Sequence, residues 1–140
     1  MLLRQPPNPL ALLDFLLARG IPAERLVFCH LDRAVPDPEV HTRILESGAF
    51  LEFDTIGRFK YHSDETEIGI FRKHLADGFE KQLLFSLDTT RARLSSYGKT
   101  EVGLDYIQRV FLKEMREAGI TDEQIRLIAV ENPRRALTGE

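Results

Sequence analysis

The chain has 140 residues, 43% of them hydrophobic and 29% charged, with a formal net charge of −3. That is one domain by length, large enough for a real core yet well short of the ~250 residues of a complete eight-stranded α/β barrel. The acidic balance, with Lys and Arg scattered among acids, argues against nucleic acid as a partner, because its binders carry a basic patch. The longest apolar stretches fall far below the ~20 residues that span a bilayer, which argues against the membrane. Met1–Pro7 lacks a basic leader ahead of an apolar run and is cut by Pro6-Pro7, so no signal peptide is expected. The single cysteine, Cys29, rules out an internal disulfide and suits a reducing compartment, so the expected location is the cytoplasm.

Asn8-Pro9 reads as a helix cap followed by proline in the first turn, with Leu10, Leu13, Leu16 and Leu17 on one face and Gly20 at the end. The apolar flanks Leu12 and Phe15 predict a heavily buried helix. Leu26–Cys29 is a strand ending in His30-Leu31-Asp32-Arg33. Asp37-Pro38 starts a second helix, with Val40, Ile44 and Leu45 inward and Gly48 at its end. Phe50–Phe53 is a second strand, ending in Asp54. A loop over 54–62 precedes a helix of roughly 64–77 whose core stripe is Ile68, Phe71 and Leu75. Gly78 stops it, and a third strand spans Gln82–Leu87. The stretch from Asp88 to Gly103 is long for a strand-to-helix connection, and loops of that length often carry function. A helix from about Leu104 to Ala118 follows, with Leu104, Ile107, Val110 and Phe111 inward. Thr121-Asp-Glu-Gln124 is a capping-box signature, and Asn132-Pro133 is expected to cap a last turn. Strands separated by helices imply an α/β fold with a parallel sheet, either open or part of a barrel.

Each strand delivers polar residues at its C-terminal end, where parallel α/β folds place their sites. Asp88 is positioned there to hold a metal and take a proton from attacking water; capping of the following loop is the other reading. His30 can ligate zinc, with Asp32 as the partner that orients its ring; a hydrogen-bonded loop histidine is the plainer reading. Asp54 has the same placement as Asp88. Lys60, Arg91 and Arg93 lie on loops at this end and can meet an anionic group, or can simply be solvated. His62, near Lys60 and Tyr61, can lie near a ligand, whereas His41 and His74 fall within helices and are expected on the surface. Cys29 inside an apolar strand reads as a small packed residue. Walker, dinucleotide-fingerprint, Cys-x-x-Cys and Gly-x-Ser-x-Gly motifs are absent from the sequence.

Five segments in order resemble the phosphotriesterase-related family of the amidohydrolase superfamily. They are Val27-Phe-Cys-His-Leu-Asp-Arg33, Leu51-Glu-Phe-Asp-Thr-Ile-Gly-Arg58, Leu84-Phe-Ser-Leu-Asp-Thr-Thr-Arg91, Tyr97-Gly98 with Gly103-Leu-Asp-Tyr106, and Val130-Glu-Asn-Pro-Arg-Arg-Ala136. The resemblance implies a (β/α)8 TIM barrel with zinc or another divalent metal, hydrolysing ester, lactone or phosphoester bonds of small molecules. It places residues 1–140 in the C-terminal portion of that barrel, about three parallel strands (the sixth to eighth) with surrounding helices. By the same resemblance His30 and Asp88 are metal ligands, with Asp88 also the proton relay. Asp54 ends the seventh strand and supports the site, and Lys60, Arg91 and Tyr97 belong to loops that bind substrate. The family's first-strand His-x-His pair, its bridging lysine and its fifth-strand histidine have no counterpart here. The chain is therefore expected to self-associate or to draw the missing strands from elsewhere. The alternative is an inactive barrel fragment that serves as an interaction or oligomerisation module.

Overall fold

The structure, a computed structural model, describes residues 1–4, 8–33, 37–90 and 102–139, with side chains from Asn8 onward and at Met1. Its centre is a four-stranded parallel sheet in the order β1-β2-β3-β4: Leu2–Arg4, Val27–Cys29, Phe50–Phe53 and Leu83–Phe85. The last three are the expected strands. The first, β1, was not anticipated. It pairs in register with β2, Leu2 opposite Val27 and Arg4 opposite Cys29. Three residues before a Pro-Pro step carry no periodicity, so only the partner strand makes this segment a strand.

Helices connect the strands: α1 (Pro9–Leu17), α2 (Pro38–Glu46) and α3 (Asp64–Ala76), then α4 (Leu112–Glu117), α5 (Asp122–Arg126) and α6 (Asn132–Thr138). π-helical turns at Ile107–Phe111 and Leu127–Glu131 lead into α4 and α6. The N-termini form where capping chemistry expects them. Asn8 accepts from the Ala11 N–H at 3.0 Å, Asp37 from Glu39 at 3.0 Å and Ser63 from Thr66 at 3.2 Å. At Thr121 both halves of the capping box are present.

Strand alternation divides the sheet. Phe28, Leu51, Phe53 and Leu83 point to the helices and join Ile44, Leu45, Phe71, Phe111, Met115 and Ile128 in the main core. Phe53, Phe71 and Phe111 stack edge to face, with centroids 4.8 and 6.3 Å apart, a geometry worth about 0.5–1.5 kcal/mol per pair beyond area burial. Val27, Cys29, Phe50 and Leu84 form a smaller cluster on the opposite face, against Ala136 of α6.

Several surface expectations are corrected. His41 and His74 are each 1% exposed and meet one another inside the core. His41 lies three residues before Ile44, and His74 three after Phe71, so helical spacing had already placed both on the apolar stripes. Phe15 and Leu104 are exposed instead, Phe15 under the Arg19 guanidinium. Asn132 does not cap a turn. It is buried, and its Nδ2 donates to the carbonyls of Glu80 at 2.7 Å and Leu83 at 2.8 Å, tying α6 to the start of β4. No helix of the described residues is long and apolar enough to cross a membrane.

Candidate active site

The C-terminal ends of β2, β3 and β4 bring His30, Asp54 and Asp88 together. Their ligating atoms all lie within 4.8 Å of one another. Among the described residues, His30 (φ +66°) and Asp88 (φ +37°) are the two non-glycine residues with left-handed backbone. Such conformations cost on the order of 1 kcal/mol or more and persist where surrounding contacts impose them, often at functional sites. The effect is plain at His30. Alternation would send it after Phe28 toward the helices; the left-handed step returns its ring to Asp54.

Asp54 is nearly fully buried. Its Oδ2 accepts the His30 main-chain N–H at 2.9 Å and meets the His30 Nδ1. Its Oδ1 accepts from Nε and Nη2 of Arg33, each at 3.2 Å. Burial raises the Asp54 carboxyl above the ordinary aspartate value, as does neighbouring Asp32, while His30 and Arg33 oppose the shift. The Asp88 carboxylate, partly exposed, is gripped by Arg33 and by Arg58 Nη2, the latter at 3.1 Å, and Arg58 also donates to the Asp88 carbonyl. Two guanidiniums thus position the carboxylate at the mouth of the sheet.

Asp32 differs from its expected role. It is Asp54, not Asp32, that holds the His30 ring. Asp32 turns the other way, its Oδ2 accepting the N–H groups of Asp54 (2.7 Å) and Thr55 (2.9 Å) and the Thr55 hydroxyl (2.9 Å). It acts on the site by fixing the backbone that carries Asp54. Lys60 is exposed and lies over the Tyr61 ring at 4.7 Å, lowering the Tyr61 phenol below its ordinary value. Arg91 and Tyr97 lie outside the described residues. Cys29 donates its thiol to Glu52 Oε2 at 2.7 Å, and burial pushes the thiol well up, which disfavours the thiolate.

Sequence reasoning missed Arg33 and Arg58 as site residues. The available signal was spacing: Arg33 follows His30 by three positions and Arg58 follows Asp54 by four, so both leave the same strand ends. Near Arg58, Gly57 (φ +67°) donates its N–H to Asp64 Oδ1 at 2.8 Å, and Tyr106 donates its hydroxyl to Asp64 Oδ2 at 2.9 Å. This linkage anchors the β3 exit loop to the helix that opens at Tyr106.

A parallel sheet flanked by helices, with His and Asp side chains gathered at its C-terminal edge, has the layout of the metal-dependent TIM-barrel hydrolases. The chain belongs to the phosphotriesterase family, whose model matches residues 3–137. It is 28% identical over 122 residues to the phosphotriesterase homology protein of Escherichia coli, covering 86% of this chain and 41% of that protein. It is 29% identical over 144 residues to the N-acetyltaurine hydrolase of Danio rerio, covering 93% of this chain and 40% of that one. Superposed on a lactonase from Listeria monocytogenes it gives a TM-score of 0.86 at 31% identity, over 96% of this chain and 42% of the lactonase. The chain therefore spans about two fifths of the length of the curated relatives it matches.

Proposed function

We propose that the chain is the C-terminal portion of a metal-dependent hydrolase of the phosphotriesterase and lactonase type, acting on ester, lactone or phosphoester bonds of small molecules. The observation that carries this reading is the pair of strand-end residues with left-handed backbone, His30 and Asp88, gathered with Asp54 into one polar cluster. The donor set suits a divalent cation: one imidazole and one carboxylate, His30 and Asp88, would hold zinc or another divalent metal. The His30 Nδ1 engaged by Asp54 leaves Nε2 as the nitrogen that can ligate. When bound, such a metal supplies Lewis acidity and an acidified water.

The protein's own groups do the rest. Arg33 and Arg58 aim the Asp88 carboxylate. As the water oxygen bonds to the carbonyl carbon or phosphorus, Asp88 takes its proton and passes it to the departing oxygen. Lys60, Arg91 and Tyr97 are proposed to contact substrate. A buried, unreactive cysteine accords with a cytoplasmic location.

One observation favours association with further strands. Among the described residues the sheet ends in two edges, β1 and β4, and the lining of a cleft of about 230 Å³ beside its inner face includes Met1, Val27, Glu52, Leu84, Ala136 and Leu137. Parallel sheets ordinarily have both faces covered. A second copy, or the remaining barrel strands, would close this surface. The test is to purify the chain, measure bound zinc and size, and assay lactone, aryl-ester and phosphotriester hydrolysis. Metal and turnover that both fall in His30→Ala and Asp88→Asn support the enzyme. A metal-free multimer without turnover supports the interaction module.

A further inference from the structure

A second group of ligating side chains adjoins the first and shares none of its residues. Asp32 after β2, Thr55 after β3, His62 before α3 and Glu67 in the first turn of α3 converge. The ligating atoms of Asp32, His62 and Glu67 lie within 4.8 Å of one another. Asp32 and Glu67 are each 0% exposed, and no Lys or Arg among the described residues forms an ion pair with either.

Acceptors crowd this group. His62 Nδ1 sits 3.1 Å from the Ser63 carbonyl, and its Nε2 faces the Asp32 carbonyl at 2.9 Å, Glu67 Oε2 at 3.0 Å and the Thr55 hydroxyl at 2.9 Å. The single Thr55 hydrogen can serve Asp32 Oδ2 at 2.9 Å or Glu67 Oε2 at 3.3 Å, not both. Two further buried oxygens, Asp32 Oδ1 and Glu67 Oε1, have no hydrogen-bond partner. Buried carboxylates left in this state are costly unless a proton or a cation joins them. Burial first, then the nearby Asp32, push the Glu67 carboxyl up to about 10, so at neutral pH it holds a proton that an arriving cation displaces.

We propose that Asp32, His62 and Glu67, with the Thr55 hydroxyl, form a binding site for a divalent transition-metal cation of the Mn²⁺ or Zn²⁺ class. Carboxylate and hydroxyl oxygens with a single imidazole suit these ions, whereas Ca²⁺ takes six to eight oxygens. The cation fastens the exits of β2 and β3 to the start of α3. Because Asp32 also accepts the Asp54 N–H, it steadies the backbone beneath the first site.

The test uses the full chain, stripped with chelator and titrated with Mn²⁺ alone, then Zn²⁺ alone, by calorimetry and by the EPR signal of free Mn²⁺. Asp88→Asn is expected to keep the binding, whereas Glu67→Gln and His62→Phe each weaken it by about tenfold or more. Mn²⁺ should raise the unfolding temperature of the native chain and of Asp88→Asn, but not of Glu67→Gln. His62 keeps 12% of its side chain exposed, against none for Glu67, so its variant decides the matter should Glu67→Gln fail to fold. Binding that survives both Glu67→Gln and His62→Phe overturns the proposal; if Asp88→Asn alone abolishes it, the metal belongs to the first site. A native chain that binds neither ion also overturns it; Glu67→Gln more stable than the parent then assigns the group as a carboxyl pair sharing a proton.

Discussion

The buried histidine pair makes stability depend on pH in a direction and amount that the structure sets. His41 Nε2 faces the Leu31 carbonyl at 3.4 Å and so carries a hydrogen; His41 Nδ1 then accepts from His74 Nε2 at 3.2 Å. This leaves His74 Nδ1 as a buried lone pair without a partner, among the rings of Phe53 and Phe79. Burial first, then His41 and Lys73, lower His74 from 6.5 to about 4, with Asp77 opposing. Burial lowers His41 as well, against Leu31, Asp32 and Asp37. Between these values the unfolded chain holds a proton that the folded chain refuses. His74 therefore costs nothing at neutral pH, and stability falls as pH drops from 6.5 toward 4. At about 1.4 kcal/mol per pH unit, the loss from His74 at pH 5 is at most about 2 kcal/mol. Glu67, raised to about 10, has the opposite sign, its contribution lost as pH rises toward that value, so a difference between variants is the clean measure. His74→Phe suits the aromatic surroundings and removes the titrating nitrogen, though it strips His41 of its donor. Urea unfolding of parent and variant from pH 7 to pH 4.5 should show the parent losing about 1–2 kcal/mol more than His74→Phe by pH 5. Equal losses would refute the reasoning, because they would mean that the folded state accepts the proton at no cost.

Other substitutions probe the scaffold around the site. Gly57→Ala should cost about 1–3 kcal/mol in urea unfolding, because φ is +67° and a Cβ would lie 3.1 Å from Val102 Cγ2 and 3.2 Å from Tyr106 Cε1. Tyr106→Phe leaves Asp64 Oδ2 without that donor and should lower stability by about 1–2 kcal/mol, with faster amide exchange at Gly57. Asn132→Ala removes two bonds to the carbonyls of Glu80 and Leu83, which predicts a loss of about 2 kcal/mol and earlier exchange in β4 than in β3. Thr121→Ala should cost only about 1 kcal/mol by thermal unfolding, since its capping box is exposed.

The sequence by itself determined the local features. Asn8, Asp37, Ser63 and Thr121 start helices because a short polar side chain answers nearby N–H groups, and that depends on neighbours in the chain alone. The strands β2 to β4 and their polar ends were legible for the same reason: runs of Val, Leu and Phe need burial, and they stop where Asp and His begin. Tertiary structure decided everything that joins distant segments. β1 exists because β2 offers it a ladder, and Asn132 is inside because the Glu80 and Leu83 carbonyls need a donor. The left-handed turns at His30 and Asp88 trace to Asp54, Arg33 and Arg58, which come from other strand exits. Asp32 was read from the chain as a partner for His30 and His62 as a residue near a ligand, but nothing in the sequence joined them to Thr55 and Glu67. Only packing, which removes water from all four at once, brings these residues together.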